Sequence, residues 1–200
     1  GFHCAMLWYD VTVRSRSELD WKYEPFEIPE DALARYRQAI DNGASAEAEW
    51  QKTMATYRTK YATEAAELDR LISGKFPEEW EAALPTYTPE DKALATRKNS
   101  EATLNALAPA IPELIGGSAD LTHSNLTELK ISGDFQKGAY ENRNMHFGGR
   151  EHGRGAICNG IALHNSGLIP YCAAFLVFTD YLRGAIRLSA LAEAGVIYVM

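Results

Sequence analysis

The sequence predicts an α/β fold, in which a parallel sheet with helices on both faces follows a helical linker region. From residue 113 onward, short apolar segments alternate with helical stretches. The predicted strands are "ELIGG" (113–117), "NMHFG" (144–148), "GLIPYC" (167–172) and "GVIYVM" (195–200). Between the last three strands lie predicted helices from Glu151 to His164 and from Phe175 to Ala194. Strands that alternate with helices are typical of parallel sheets covered on both faces.

The N-terminal part lacks this alternation and predicts helices joined by extended connections. Residues 1–23 show no clear period, so no element is predicted there. The segment "YEPFEIPED" (23–31) is typical of an extended connector, and a helix is expected from about 31 to 42, ending at Asn42-Gly43. A long amphipathic helix is predicted from Ser45 to Ile72. Its apolar positions predict a packing surface: Trp50, Met54, Tyr57, Tyr61, Leu68 and Leu71.

A proline-rich segment divides these two regions. "FPEEWEAALPTYTPED" (76–91) mixes a short helix with connecting residues, a pattern that marks a domain boundary. Pro89-Glu90-Asp91 after Thr88 predicts a helix that runs to about Leu107. We therefore expect an interdomain helical segment at 1–92 and a second domain at 93–200. The second domain reaches Met200 inside an apolar strand, which predicts that the chain belongs to a longer protein.

Composition limits the classes of function. The sequence is 46% apolar and 24% charged, as in ordinary globular proteins. A net charge of −7 argues against a nucleic-acid binder or an anionic-membrane binder, because either would need a basic face. No membrane span or signal peptide is recognised, so we expect a protein that is not secreted. Three cysteines without a CxxC pair predict reduced, buried thiols: Cys4, Cys158 and Cys172.

The segment "HFGGREHGRGA" (146–156) places three ionisable side chains at a strand-to-helix junction. Glu151 follows the glycines after one intervening residue, Arg150, and Ser118 and Asp120 lie at the end of the first strand. Ligands gather at the carboxyl ends of parallel strands, which favours a functional site there. A carboxylate at a helix start can also serve only to cap the helix. Spacing alone supports both interpretations of Glu151.

Several other chemistries are disfavoured by their motifs. Ser118, Ser124 and His152 are present, but no GxSxG elbow accompanies them. The five histidines are scattered without metal-ligand spacing, so no metal site is predicted in this chain. The run "GRG" (153–155) lacks the third glycine of the dinucleotide fingerprint. One further pattern, in which Phe175, Phe178 and Tyr181 share a helical face, by itself favours core packing.

Taken together, four longer segments resemble the pyrimidine-binding domain of transketolases. They are "LIGGSADLTHSNLT", "REHGRGAICNGIALH", "PYCAAFLVFTDYLRGAIRLSAL" and "GVIYVM". The resemblance is strong over about 93–200. It extends more loosely through "YEPFEIPED" and "EEWEAALPTYTPED", which resemble the interdomain segment of plant or cyanobacterial members. The implied fold is a truncated thiamine diphosphate-binding pyrimidine domain.

The resemblance also implies a cofactor, thiamine diphosphate, and roles for individual residues. The family's catalytic glutamate, which hydrogen-bonds the aminopyrimidine N1′, falls on Glu151. The aromatic pocket for the pyrimidine ring falls on Phe175, Phe178 and Tyr181, and the acid near the cationic ring falls on Asp120. Arg97 and Ser124 match residues that hold the substrate phosphate. The Mg²⁺ (or Ca²⁺) ligands are expected in an N-terminal domain outside this sequence.

The implied reaction is reversible transfer of a two-carbon ketol unit from a ketose phosphate to an aldose phosphate, in the pentose phosphate pathway or Calvin cycle. The family's active site forms between the two subunits of a homodimer, so residues 1–200 alone are expected to be inactive. The expected location is the cytoplasm or the plastid stroma. Two alternatives stay open at this point: another ketol transferase such as dihydroxyacetone synthase, or a truncated, non-catalytic interaction domain.

Two positions within the opening motif depart from the family pattern. Gly149 stands where the family usually has Val or Ile, so apolar contacts near the cofactor are expected to be lost. Arg154 stands where the family usually has Met or Ala. Because an unpaired buried charge is costly, Arg154 is expected to reach solvent or an anionic partner.

Overall fold

The computed structural model describes residues 9–200, and these divide into two compact units, 9–60 and 61–200. The described part of the first unit contains helices α1 (Tyr9–Glu18) and α2 (Glu30–Lys60). The segment between these helices is extended or turned, as predicted for the connector. Helix α1 lies where the sequence offered no prediction.

Helix α2 differs from the predicted pair of helices because it runs unbroken through Gly43. The predicted end at Asn42-Gly43 is therefore wrong. A glycine inside a helix costs only about 1 kcal/mol relative to alanine. The alanines and glutamates that follow are strong helix formers, so one glycine does not end this helix.

The predicted helix from Ser45 to Ile72 is divided at Tyr61. Tyr61 leaves the helical conformation (φ −131°, ψ 63°), and α3 begins after it (Ala62–Ile72). The Tyr61 carbonyl accepts the first hydrogen bond of α3 from the Ala65 amide at 2.9 Å. Nothing in the local sequence marks this break. The predicted packing surface is divided accordingly, with Met54 buried but Trp50 and Tyr61 exposed.

The segment after α3 contains a short 3₁₀ helix (Trp80–Ala83) and then a turn at Thr88–Asp91. The Asp91 carboxylate accepts a hydrogen bond from the Thr88 amide at 2.6 Å. The predicted cap used the Thr88 side chain, whereas here the Asp91 side chain accepts from the backbone of Thr88, and only a turn follows. Helix α4 begins later, at Thr96, and runs to Ala110. The predicted helix start at Pro89 is wrong because the cap closes an isolated turn.

Four parallel strands form the sheet in the order β2-β1-β3-β4. The strands are β1 (Leu114–Ser118), β2 (Asn144–His146), β3 (Ile169–Ala173) and β4 (Ile197–Val199). The connecting helices are α5 (Thr122–Asn125), α6 (Glu151–Leu163) and α7 (Thr179–Leu191). The predicted strands, the parallel sheet and helix α6 are thus confirmed.

The strand order creates a crevice at the carboxyl ends of β1 and β3. The chain leaves β1 toward β2 on one side, whereas it leaves β3 toward β4 on the other. In open parallel sheets, ligands bind where the connections diverge in this way. A ligand site is therefore expected among the residues that follow β1 and β3.

Adjacent residues of β3 reach two separate cores, because side chains alternate across a strand. Tyr171 packs with Ala108 of α4 and with Leu129 in the first core. Cys172 packs with Cys158 of α6 and with Phe147 in the second. Helices therefore cover both faces of the sheet, as predicted. The thiols of Cys158 and Cys172 are free and buried, also as predicted, while Cys4 lies outside the described residues.

An ion pair joins α3 to the start of the sheet. Arg70 donates to both carboxylate oxygens of Glu113 at 3.0 Å, and Glu113 directly precedes β1. Arg70 also pairs with Glu67, and this hydrogen bond holds the pKa of the Glu67 carboxyl below its usual range. Two parallel hydrogen bonds define the relative geometry of the two groups, so this contact fixes the amino-terminal end of the sheet.

Within residues 9–200, no helix is both long enough and apolar enough to cross a membrane.

Candidate functional site

The turn between β2 and α6 is shaped by Arg150, which folds back over it. Its guanidinium donates to the Phe147 carbonyl at 2.9 Å, and its amide donates to the Gly148 carbonyl at 2.7 Å. Gly148 has φ +68°, and a Cβ there would lie 2.8 Å from Arg150 Nη1. Glycine suits this position because it adopts positive φ without strain. Arg150 thus supports the turn that presents Glu151, a role that sequence reasoning did not assign.

Glu151 is the first residue of α6 and is half buried. No residue in 9–200 forms a hydrogen bond or an ion pair with its carboxylate. The N-cap position is occupied by Arg150, and no side chain caps this helix by a hydrogen bond, so Glu151 is not its N-cap residue. The helix dipole favours the negative charge at this end. The carboxylate is therefore partly shielded from water and available to a ligand.

The start of α6 packs closely against α7. His152 follows Glu151, and its ring lies so near Gly184 of α7 that a Cβ on Gly184 would be 3.1 Å from His152 Cε1. This approach brings the first turn of α6 to the helix that carries Tyr181. The sequence placed Glu151 and Tyr181 on separate elements, and the packing of α6 on α7 brings those elements together.

A second group of predicted residues lines a cavity of about 520 Å³ at the crevice. Its walls include Arg97 from α4, Phe175 after β3, and Asn125 at the end of α5. The Arg97 guanidinium donates to the backbone carbonyl of Ser124 at 3.2 Å. The structure thus unites Arg97, Ser124 and Phe175, which lie far apart in the sequence.

A buried hydrogen-bond network forms one side of this cavity. Asn125 donates to the Ser118 hydroxyl at 2.8 Å, and that hydroxyl donates to the Ala173 carbonyl at 3.1 Å. Thr127 donates to the Asn125 side-chain oxygen at 2.7 Å. These bonds fix the ends of β1 and β3 relative to α5. Sequence reasoning missed Asn125, although it lies beside Ser124 in the segment "HSNLT".

The three predicted aromatic residues do not lie on one continuous helix. Phe175 is extended, Leu176–Phe178 form a 3₁₀ turn, and α7 begins only at Thr179. The predicted helix from Phe175 is therefore wrong in its first turn. The rings of Phe178 and Tyr181 stack with centroids 6.3 Å apart. Tyr181 is 66% exposed, which contradicts the core-packing interpretation of this stripe.

Asp120 lies just beyond the end of β1 and is exposed. Its backbone is left-handed, with φ +56°. Such a conformation is uncommon for residues other than glycine, and aspartate tolerates it better than most. The position lies at the carboxyl edge of the sheet, on the same edge as Glu151.

The structure contradicts the expectation that Arg154 reaches solvent. The side chain is completely buried, and Nη1 donates to the Ala173 carbonyl. No carboxylate in the described part of the chain pairs with it, and its Nε and Nη2 atoms have no hydrogen-bond partner there. The position is enclosed because this side chain projects from α6 toward the end of β3, where it meets the Ala173 carbonyl.

Gly149 is the other position that departs from the family pattern, and its surroundings can be tested by substitution. This residue is exposed, and a Cβ there would meet no atom within 4 Å. We expect Gly149→Val in the full-length protein to change stability by no more than about 0.5 kcal/mol. Thermal unfolding of the variant measures this effect.

The neighbouring substitution Gly148→Val is the matched control. It combines a positive φ with a close contact to Arg150 and is expected to destabilise by about 1–3 kcal/mol. Equal destabilisation by both substitutions would show that Gly149 is also constrained.

The comparisons with known proteins agree with this architecture. The family model "Transketolase, pyrimidine binding domain" matches residues 92–200, and "Transketolase, thiamine diphosphate binding domain" matches residues 1–77. The chain is 60% identical to a Nostoc transketolase over 200 residues, which is all of this chain and 30% of the relative. It is also 60% identical to chloroplastic transketolase of Solanum tuberosum over 186 residues, which is 93% of this chain and 25% of that protein.

Solved structures show the same likeness. A Pichia stipitis transketolase in complex with sedoheptulose 7-phosphate has a TM-score of 0.82 and 44% identity, over 88% of this chain and 27% of that one. A second Pichia stipitis structure, an R356L mutant in complex with fructose 6-phosphate, has a TM-score of 0.86 and 41% identity, over 94% and 29%.

The parallel sheet, its crevice and these matches define an α/β protein of the class that binds thiamine diphosphate. The chain belongs to the transketolase family. It spans about 30% or less of the length of these relatives. The matches do not favour the alternatives of another ketol transferase or a non-catalytic interaction domain.

Proposed function

We propose that this chain is part of a transketolase that transfers a two-carbon ketol unit reversibly from a ketose phosphate to an aldose phosphate. One observation carries the proposal. Glu151 presents a half-buried carboxylate that has no partner among residues 9–200, at the carboxyl edge of the sheet. It does so within the region that matches the pyrimidine-binding family model.

The residues around Glu151 suit the pyrimidine ring of thiamine diphosphate. A carboxylate with no partner can hold a hydrogen bond at one ring nitrogen, and geometry of this kind is what acid–base catalysis by a side chain requires. The cofactor, when bound, supplies the carbanion-stabilising chemistry. Glu151 then has one task, which is to hold the proton at the aminopyrimidine N1′.

The aromatic residues supply the surface for that ring. Tyr181 is exposed and stacks on Phe178, so a flat aromatic face is open to a ligand. Phe175 lines the adjoining cavity. Asp120 adds a negative charge at the same edge of the sheet, where it favours the cationic ring of the cofactor. We assign these four residues to cofactor binding.

The cavity is suited to the phosphate of a sugar substrate. Arg97 lies in the first turn of α4, where the exposed amides and the helix dipole favour anions. A guanidinium can bind two phosphate oxygens at once. The Ser124 hydroxyl has no partner in the described chain, while its carbonyl holds Arg97 in place. We assign Arg97 and Ser124 to phosphate binding.

We also propose the domain boundaries, the metal ion, the oligomeric state and the location of the protein. We assign residues 93–200 to the pyrimidine-binding domain and 1–92 to the interdomain segment. Mg²⁺ (or Ca²⁺) would be held by another part of the protein, with the active site completed by the partner subunit of a homodimer. Relatives from chloroplasts and from a cyanobacterium support the plastid stroma or the cytoplasm as the location.

The test is an assay of the full-length protein with thiamine diphosphate, Mg²⁺, a ketose phosphate donor and an aldose phosphate acceptor. We expect the acceptor to be lengthened by two carbons, with residues 1–200 alone giving no turnover. Transfer to formaldehyde in preference to the aldose phosphate would instead identify a dihydroxyacetone synthase. No turnover with any acceptor would contradict the proposal.

A further inference from the structure

The interior of the sheet contains a cluster that the proposed function does not use: Arg154, Cys158 and Cys172. Arg154 and Cys158 are four residues apart on α6 and therefore share one face of the helix. Arg154 donates to the Ala173 carbonyl, the residue directly after Cys172. Cys158 and Cys172 pack together against Phe147. All three side chains are 0% exposed.

The cluster contains a positive charge without a carboxylate. A guanidinium stays protonated in proteins, and Arg154 has two nitrogen atoms, Nε and Nη2, that lack a hydrogen-bond partner in the described chain. An uncompensated buried charge is strongly unfavourable. The charge is therefore best balanced by ionisation of a neighbour.

Among residues 9–200, three ionisable groups have a pKa that the charge of Arg154 lowers: Cys158 on its own helix, Cys172 on β3, and Tyr198 on β4. The Tyr198 hydroxyl donates to the Asn159 side-chain oxygen at 3.1 Å, and burial raises the pKa of this phenol. Tyr198 therefore stays neutral.

The pKa values of the two cysteine thiols shift in opposite directions. A hydrogen bond to Cys172, together with burial, raises the pKa of the Cys158 thiol, which stays protonated. A hydrogen bond from Cys158 and the positive charge of Arg154 lower the pKa of Cys172, against the opposing effect of burial. Cys172 is thus the group that gives up its proton.

We propose that Arg154 and Cys172 form a buried guanidinium–thiolate ion pair, beside which the Cys158 thiol stays neutral and donates to the Tyr171 carbonyl at 3.9 Å. The proton that Cys172 loses passes to solvent as the chain folds, so the pair is neutral inside the protein. The pair joins the first turns of α6 to the end of β3. If the proposed function holds, it also fixes Glu151 relative to Phe175.

The pH dependence follows from the lowered pKa of Cys172. The stabilisation is fully present above the unfolded thiol pKa, which is about 8.5, and it is lost as pH falls through the lower folded pKa. Replacing Arg154 with methionine removes both the charge and this dependence.

The thiolate itself is measurable by ultraviolet absorbance in the full-length protein, without reference to activity. The difference between wild type and Cys172→Ala isolates the absorbance of Cys172, and Cys172→Ser serves as the reference if the alanine variant does not fold. We expect a thiolate band at neutral pH that titrates at least one unit below about 8.5. Absence of that band at neutral pH would overturn the proposal, whether or not the enzyme is active.

Two further variants test whether Arg154 is what lowers the pKa of Cys172. In Arg154→Met we expect the titration midpoint to rise to about 8.5 or higher. The matched control is Arg183→Met on α7, whose side chain is 80% exposed and pairs with Asp180, and we expect no shift there. An unchanged midpoint in folded Arg154→Met would also overturn the proposal. If Arg154→Met does not fold, the comparison of wild type with the Cys172 variant decides alone.

Discussion

Replacing Glu151 with glutamine in the full-length protein is expected to lower kcat for ketol transfer by about 10²–10⁴-fold, the usual contribution of a positioned acid–base group. Glutamine keeps the size of the side chain and its place at the start of α6, but it cannot hold a proton in the same way. Steady-state kinetics with saturating thiamine diphosphate measures the effect. Cofactor affinity, measured by calorimetry, is expected to change much less than kcat.

A matched control separates this role from a helix-end effect. Glu64 also lies in the first turn of a helix, α3, and is exposed. Glu64→Gln removes the same favourable interaction with a helix dipole, which is worth about 0.3–1 kcal/mol, and should leave kcat unchanged. If Glu151→Gln retains wild-type kcat, Glu151 does not act on the cofactor.

Replacing Arg97 with alanine is expected to raise KM for phosphorylated substrates by about 10–100-fold, the loss of one charge-assisted hydrogen-bond pair. The phosphate lies away from the reacting carbons, so kcat should change little. The sharper measurement uses two acceptors, an aldose phosphate and an aldose without phosphate. Only the phosphorylated acceptor should lose affinity, because only it presents the oxygens that Arg97 binds.

Lys98 provides the control for general loss of positive charge. It neighbours Arg97 but pairs with Glu101 at 3.1 Å instead of lining the cavity. Lys98→Ala should leave KM for both acceptors near the wild-type value. If Arg97→Ala weakens the two acceptors equally, Arg97 has a structural role in the cavity wall and does not bind phosphate.

Local patterns predicted much of the second unit correctly. Short apolar runs followed by helical stretches predicted all four strands and helix α6, because burial between two helical layers requires such runs. The start of α6 at Glu151 was likewise predictable from the glycines before it. Roles for Glu151, Asp120 and Arg97 came from the family resemblance and stay predictions, although the structure places all three at the carboxyl edge of the sheet or its crevice.

Helix boundaries were less predictable where a local signal competed with its surroundings. Gly43 is a helix-stop signal, but the helix formers beyond it outweigh its cost. Asp91 accepts a hydrogen bond from the Thr88 amide in place of the expected Thr88 side-chain cap, and only a turn follows. The divided helix at Tyr61 has no local signal at all. In each case the deciding energy comes from neighbouring residues or from packing, which the motif itself does not contain.

The sequence by itself determined the fold class, the strand positions and the family of this protein, because these depend on periodicity and on long segments of residue identity. Only the tertiary structure decided which side chains share one environment. It joined Arg97 to Ser124 by a hydrogen bond and to Phe175 across a cavity, and it left Gly149 without a neighbour within 4 Å of a Cβ. It also enclosed Arg154 with two thiols. Burial and the charge balance that follows from it depend on residues distant in sequence, so no local pattern could specify them.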